Sequence, residues 1–213
     1  MRTLIAIIVS TSAIIVFTQL IFWGFPLEDI GENVRGALFT VSSLISTTGF
    51  YSVDYSGWIS VAYMLLLLTF VGGSAGSTSG GVKVIRVLLV FKYCYYEFKR
   101  MVHPHAVFPV RYNGRAVKEE YITRMLAFIL LYVILSLFGA MILCISGLGF
   151  EESISSMVSC LGNVGPGLGH LGPLDNYQSL PAFAKWFMSF AMLVGRLEIF
   201  TVLLIFTPNF WKR

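Results

Sequence analysis

Charged residues are scarce in this 213-residue sequence: they make up 12% of it, whereas 56% is hydrophobic. Soluble domains usually carry about 25% charged residues. A soluble core of this size cannot hide so much apolar surface, so we expect a lipid bilayer to cover it. The low charge therefore argues against an ordinary soluble domain and predicts an integral membrane protein.

Cysteine is also rare. Cys94, Cys144 and Cys160 form an odd set without C-x-x-C spacing, which excludes a disulfide framework and a zinc site and favours buried small side chains. The net charge of +4 could suggest nucleic acid, but nine of the fifteen Lys and Arg residues fall between Lys83 and Arg124. That clustering is typical of a cytoplasmic loop in a membrane protein, so no nucleic-acid partner is expected.

Four long apolar segments follow one another along the chain. A helix needs roughly 20 residues to cross the hydrocarbon. The first segment resembles a signal peptide, but it is a full span long and no A-x-A site follows it, so we interpret it as a retained helix. The predicted elements are a helix over 3–23, a broken helix over 58–98, and helices over 121–146 and 182–207.

Two shorter helical segments, 33–46 and 151–161, are too short to cross a bilayer. Each begins near acidic residues, as helix N-termini favour, and each ends in a hinge of small residues, at 46–50 and 162–166. The order of long helix, short helix, hinge and long helix thus occurs twice, about 116 residues apart. This indicates a duplicated membrane unit.

The chain therefore divides into a pore repeat over 1–98, a basic cytoplasmic linker over 99–120 and a second pore repeat over 121–213. If the linker is cytoplasmic, both hinges open to the outside. Acidic residues there would raise the local cation concentration, although the positive-inside rule alone explains the basic inner side. The outer acidic residues are Glu28, Asp29, Glu32, Asp54, Glu151, Glu152 and Asp175.

The two hinges are candidate cation filters. Non-helical backbone at membrane depth is tolerated only where it lines a cavity or is buried in protein, and glycine lets successive carbonyls turn to one axis. Such carbonyls can replace the water around K⁺, whereas phosphate would require basic residues that both hinges lack. Alignment at the repeat spacing pairs Thr47 with Asn163, Thr48 with Val164, and Gly49 with Gly165.

Four stretches carry a resemblance to a known family: STTGFYSVDYSGW, GGSAGSTSGGVKVIR, GNVGPGLGHLGP and GRLEIFTVLLIFTPNFWK. They resemble the last two pore repeats of the Trk/Ktr/HKT potassium-uptake superfamily, close to the TrkH type. The resemblance implies an all-α membrane fold of four helix–pore loop–helix repeats around one pore. It also implies that Gly49 and Gly165 are the filter glycines, and that Thr47, Thr48, Asn163 and Val164 lend carbonyls to K⁺.

The resemblance further implies K⁺ uptake across a bacterial inner membrane by a multi-pass protein that is not an enzyme. K⁺ would be the transported ion, without an organic cofactor. The implied partners are membrane lipid, a second copy in a homodimer, and a cytoplasmic nucleotide-binding regulatory subunit of the TrkA/KtrA type. Because the family has four repeats and this chain has two, we expect a C-terminal half that lacks the N-terminal repeats, or else a pair of chains that combine.

The glycine run at 72–81 and one arginine are the candidate gating elements. The run resembles the family's intramembrane loop beneath the filter, although a passive kink is an alternative. Arg196 lies near the middle of the last predicted helix, where a charge is costly and usually faces water or protein. We expect it to face the pore axis, since Glu198 is two residues away and a poor partner. The gating glycines are Gly72, Gly73, Gly76, Gly80 and Gly81.

Two other interpretations stay open. A Na⁺-permeable or Na⁺-coupled transporter of the same fold would have the same hinges. An intramembrane serine hydrolase is suggested by the G-x-S-x-G pattern at 72–76, but that pattern needs a strand–turn–helix and a base at similar depth. His103 and His105 lie in the basic loop instead, and we expect them to form a turn and no metal site.

Overall fold

The computed structural model describes residues 2–22, 30–55, 58–74, 76–77, 80–103, 106 and 108–211. The predicted all-α membrane fold is confirmed, because helices dominate the described chain. The helices are α1 (Arg2–Phe22), α2 (Ile30–Ile45), α3 (Ile59–Phe70), α4 (Val84–Val102), α5 (Glu119–Ile145), α6 (Phe150–Gly162), α7 (Ala182–Arg196), α8 (Ile199–Ile205) and α9 (Pro208–Trp211).

Two of the described helices are each long and apolar enough to cross a membrane, α5 and the 3–21 part of α1. The predicted end of the first helix at Trp23 lies outside the described residues, as do Glu28, Asp29, Lys212 and Arg213. Helices α7 and α8 qualify only as a bent pair.

Helices α2 and α6 are short. They contain 16 and 13 residues, so they measure about 24 Å and about 20 Å, less than the roughly 30 Å of the hydrocarbon core. Helix α2 packs on α1 and α3, whereas α6 packs on α3, α5 and α7. Residues 155–162 of α6 are all buried. Helix α6 is therefore held inside the bundle, whereas α2 packs on two helices and keeps an exposed face.

Helices α5 and α6 pack closely at Gly139. A Cβ placed at Gly139 would lie 2.5 Å from the sulfur of Met157, closer than real atoms approach. Small residues at such positions let membrane helices approach one another. Met157 belongs to the apolar cluster around α6, which also contains Tyr132, Leu161 and Met188.

The segment between α3 and α4 is closed at its base by two short parallel strands. Strand β1 (Val71–Gly72) pairs with β2 (Val82–Lys83), and the Val84 amide donates to the Gly73 carbonyl at 3.2 Å. Further on, β3 (Arg111–Tyr112) and β4 (Arg115–Ala116) form a hairpin between α4 and α5.

The prediction of one continuous helix over 182–207 is wrong. Helix α7 ends at Arg196, α8 begins at Ile199, and the two are bent by 110°. Glu198 has a backbone φ of +61°, which no right-handed helix accommodates. Its carboxylate lies 3.1 Å from the guanidinium of Arg86 and 3.6 Å from the ammonium of Lys83, so the bend is tied to the start of α4.

Candidate functional site

The backbone bends in the same way after α2 and after α6. In each bend two amides donate back to the preceding helix, and the corresponding bonds are 116 residues apart, so the two bends repeat one local structure. In the first, Thr47 donates to Leu44 at 3.1 Å and Thr48 to Ser43 at 2.9 Å; in the second, Asn163 donates to Cys160 at 3.0 Å and Val164 to Ser159 at 3.0 Å.

The same positions are left-handed in both bends. Thr47 and Asn163 have φ values of +54° and +56°, and Gly49 and Gly165 have +76° and +114°. The residue between each pair is not left-handed. A backbone that alternates in this way can turn successive peptide groups to one side, which a line of carbonyl ligands requires.

The two bends touch each other at Gly49 and Val164. A Cβ at Gly49 would overlap the carbonyl oxygen of Val164, so only glycine fits there. The Val164 side chain is 5% exposed and packs in the apolar cluster around α2, so only its backbone is available to an ion. Thr48 is exposed, and its hydroxyl lies 2.7 Å from that of Ser46.

Helix C-termini supply the electrostatics of both bends. The C-terminal end of a helix carries a partial charge of about −0.5. Helix α2 ends just before Thr47 and α6 ends directly before Asn163, so both negative ends adjoin the bends. This arrangement favours a cation. The carboxylate of Glu152 binds backbone amides outside the bend: it accepts hydrogen bonds from Gly149 at 3.3 Å and from His170 at 3.4 Å.

Polar side chains that sequence reasoning missed hold the second bend in place. Ser159 Oγ accepts from the Gly165 amide at 3.0 Å, and Ser155 Oγ accepts from the Leu168 amide at 3.0 Å. The i, i+4 spacing of these serines on α6 was the available signal. In the first bend Ser43 Oγ donates to the Phe50 carbonyl at 2.6 Å. Ser43 and Ser159 are again 116 residues apart, which was a second signal.

Tyr177 orients the carbonyl of Gly165. Its hydroxyl donates to that oxygen at 2.8 Å. Burial, the largest cause, raises the pKa of Tyr177 well above its usual range, so the hydroxyl stays protonated at physiological pH. Nothing in the sequence singled out this tyrosine, because it lies in a loop 12 residues beyond the glycine.

The 72–81 loop packs on the C-terminal end of α6. A Cβ at Gly80 would overlap the Gly162 carbonyl oxygen and lie 3.0 Å from the side-chain nitrogen of Asn163. A Cβ at Gly72 would overlap the Gly80 carbonyl oxygen. These glycines are needed for close backbone approach, whereas Gly76 is exposed with open space around it. The buried members of the set are Gly72, Gly73, Gly80 and Gly81.

Arg196 is the last residue of α7 and is exposed, so the expectation of a mid-helix position is wrong. Its neighbour Gly195 packs on the end of α6, because a Cβ there would overlap the Leu161 carbonyl oxygen. Gly195 was missed from the sequence; like Gly80, it lies beside the side-chain amide of Asn163. The arginine therefore lies near the same helix end as the glycine loop.

The G-x-S-x-G pattern at 72–76 does not lie in the strand–turn–helix that a serine hydrolase requires. Gly72 ends strand β1, but helix α4 begins only at Val84, so Ser74 does not occupy a strand–helix elbow. Among the residues that the structure describes, no group of three or more His, Cys, Asp or Glu side chains could hold a metal ion. His105 lies outside the described residues.

Half-length helices whose C-termini bend into left-handed backbone, packed among apolar helices, define an all-α membrane protein. The model of a family described as cation transport protein, TrkH, matches residues 2–213, and the chain belongs to this family. The predicted relationship to the TrkH type is thereby confirmed. The predicted multi-pass location in a bacterial inner membrane is also confirmed.

Named relatives and a solved structure agree. The chain is 37% identical over 201 residues to the Trk system potassium uptake protein TrkH of Salmonella typhimurium, covering 93% of this chain and 41% of that protein. It is 40% identical over 177 residues to TrkI of Halomonas elongata, covering 82% and 36%. The crystal structure of the potassium transporter TrkH from Vibrio parahaemolyticus matches with a TM-score of 0.89 and 33% identity, covering 99% of this chain and 44% of that one. The chain spans about two fifths of the length of these relatives.

Proposed function

We propose that this chain forms part of a K⁺ uptake pore, in which 46–50 and 162–166 are two loops of one selectivity filter. The observation that carries the proposal is the pair of matching bends, which share their hydrogen bonds and left-handed positions and meet at Gly49 and Val164. The names of the relatives, potassium uptake proteins, support K⁺ as the ion.

In this proposal the ligands are backbone carbonyls of Thr47, Thr48, Asn163 and Val164, and the glycines that follow supply the turn. Two loops form half of a four-sided shell. The remaining loops come from a second copy in a homodimer or from two further repeats of a longer protein. The repeats over 1–98 and 121–213 would then be joined by the basic linker over 99–120.

The 72–81 loop is proposed as the gate, and Arg196 as a positive barrier beside it. Packing of Gly80 on the end of α6 supports a position directly below the second filter loop. The basic inner segment is proposed to bind a cytoplasmic nucleotide-binding regulatory subunit. Family membership in a cation transport group gives the hydrolase alternative no support. We therefore propose transport without covalent chemistry.

The experiment compares two glycines whose backbone has a positive φ. Gly165 and Gly147 both have positive φ and open space at the Cβ position, so alanine strains each by about 1–3 kcal/mol. Gly165→Ala should lower K⁺ over Na⁺ selectivity in uptake-deficient cells that produce the protein. Gly147→Ala, in the turn after α5, should leave selectivity unchanged.

Equal selectivity in both variants would contradict a filter role for Gly165. A wild-type protein that transports Na⁺ as well as K⁺ would favour the Na⁺-permeable alternative over the proposal.

A further inference from the structure

An apolar groove of about 610 Å³ lies between the start of α1, the end of α3 and one face of α4. Ile7, Leu68 and Leu88 are among the residues that line it. The function proposed above does not use this groove, whose lining includes no residue of either bend.

The groove has the length of one lipid leaflet. Its lining on α4 runs from Val84 to Tyr95, which corresponds to about 16 Å of helix. Half of the hydrocarbon core is about 15 Å. Val84 adjoins the break in the membrane span, whereas the sequence from Lys92 onward is polar. The groove therefore extends from near the middle of the bilayer to one interface.

Aromatic and basic side chains flank one end of the apolar groove. Lys92 and Tyr95 line it, and the ammonium of Lys99 lies 4.8 Å from the centre of the Tyr95 ring. These three residues follow one another at i+3 and i+4, so they share one helix face. Lys92 Nζ donates to the Arg111 carbonyl at 3.3 Å, which leaves two of its three protons for another acceptor. Tyrosine and lysine are among the residues that anchor at headgroup depth.

We propose that this groove binds one anionic phospholipid, with an acyl chain along α4 and the phosphate at Lys92 and Lys99. The negative charge of the lipid phosphate complements the two lysines, and the length of the apolar groove matches one acyl chain. A second copy fits less well, because a two-fold contact through this face would bring two pairs of lysines together. The acyl chain contacts Val71 and Val84 and so stabilises the base of the 72–81 loop.

The test is native mass spectrometry of the 213-residue chain in detergent. The probes are phosphatidylglycerol and phosphatidylethanolamine with identical acyl chains, added in equal amounts. We expect one tightly retained phosphatidylglycerol. The double variant Lys92→Gln/Lys99→Gln should weaken its binding about fivefold for each lysine. The control Arg115→Gln/Lys118→Gln removes the same charge from exposed residues outside the groove and should bind normally.

A second variant tests the apolar part. Ala6 lines the groove, so Ala6→Phe should displace the lipid, whereas Ala127→Phe, at an exposed position on α5, should not. Equal losses in the two charge variants, or no preference for phosphatidylglycerol, would overturn the proposal. So would a lipid-free dimer that Ala6→Phe converts to monomer, because a second copy would then fill the groove.

Discussion

Thr47 and Asn163 adopt nearly the same left-handed backbone at equivalent positions, yet the two residues differ in how well they tolerate it. Asparagine is enriched in this region, whereas a β-branched residue there is a genuine outlier. Strain of this kind costs about 1–3 kcal/mol and concentrates at functional sites. The first bend therefore stores strain that the second avoids.

We predict that Thr47→Asn raises the free energy of unfolding of the protein in detergent by about 1 kcal/mol, because it relieves this strain. Thermal unfolding measures the change. Asn163→Thr should lower stability by at least as much, since it adds strain and removes the amide beside Gly80. Thr48→Asn is the control, because Thr48 is exposed and not left-handed. A loss of stability in Thr47→Asn would show that the strain is not at this residue.

Tyr177→Phe removes the hydroxyl that holds the Gly165 carbonyl. Loss of this hydrogen bond should cost about 1 kcal/mol and reduce K⁺ over Na⁺ selectivity. The pKa of Tyr177 is raised above its ordinary value of 10.0, so the fold favours the neutral form. Its contribution to stability is therefore constant from about pH 6 to 9 and falls only above about pH 10, where the unfolded tyrosine ionises.

Thermal unfolding and ion uptake across about pH 6–9 check both parts of this prediction. The matched control is Tyr121→Phe, which removes a hydroxyl from an exposed tyrosine on α5. Tyr121→Phe should leave selectivity and stability unaltered. A wild-type selectivity in Tyr177→Phe would show that the hydroxyl does not position Gly165.

Helices show what hydrophobic pattern predicts and what it does not. Half-length helices α2 and α6 were foreseeable, because each apolar segment is short and is followed by glycine and small polar residues. The bend between α7 and α8 was not, because 182–207 reads as one apolar span. Glu198 lies at this bend, and its partners Lys83 and Arg86 are more than 110 residues away in the chain. Sequence spacing cannot reveal a partner that only folding brings near.

The ion pair at this bend gives the element-scale prediction. Arg86 is 17% exposed and also lies 4.0 Å from the centre of the Phe128 ring. In a double-mutant cycle of Arg86→Gln and Glu198→Gln, we expect a coupling free energy of about 1 kcal/mol. The single variant Arg86→Gln and the double variant both lose the contact with the Phe128 ring. The cycle therefore isolates the free energy of the ion pair. Urea unfolding measures it, and a coupling near zero would mean that left-handed backbone alone maintains the bend.

At the scale of the whole molecule, the two repeats are joined through their bends and through packing of α3 on α6. The repeat spacing of 116 residues pairs positions whose backbone hydrogen bonds correspond in the two bends. It did not predict that Gly49 would lie against Val164, since that contact depends on how the two units pack. The serines that hold the bends could be predicted in part from their spacing, whereas nothing in the sequence indicated the role of Tyr177.

This contact predicts that damage to one bend spreads to the other. Gly49→Ala places a methyl group on the Val164 carbonyl, so the two bends must separate. We expect faster amide hydrogen exchange at 162–166 as well as at 46–50, because the second bend loses the backbone that it packs against. Gly165→Ala has open space around its new methyl group, so its effect should remain within 162–168. Faster exchange confined to 46–50 in Gly49→Ala would show that the two bends fold independently, and the shared filter would then lose its structural basis.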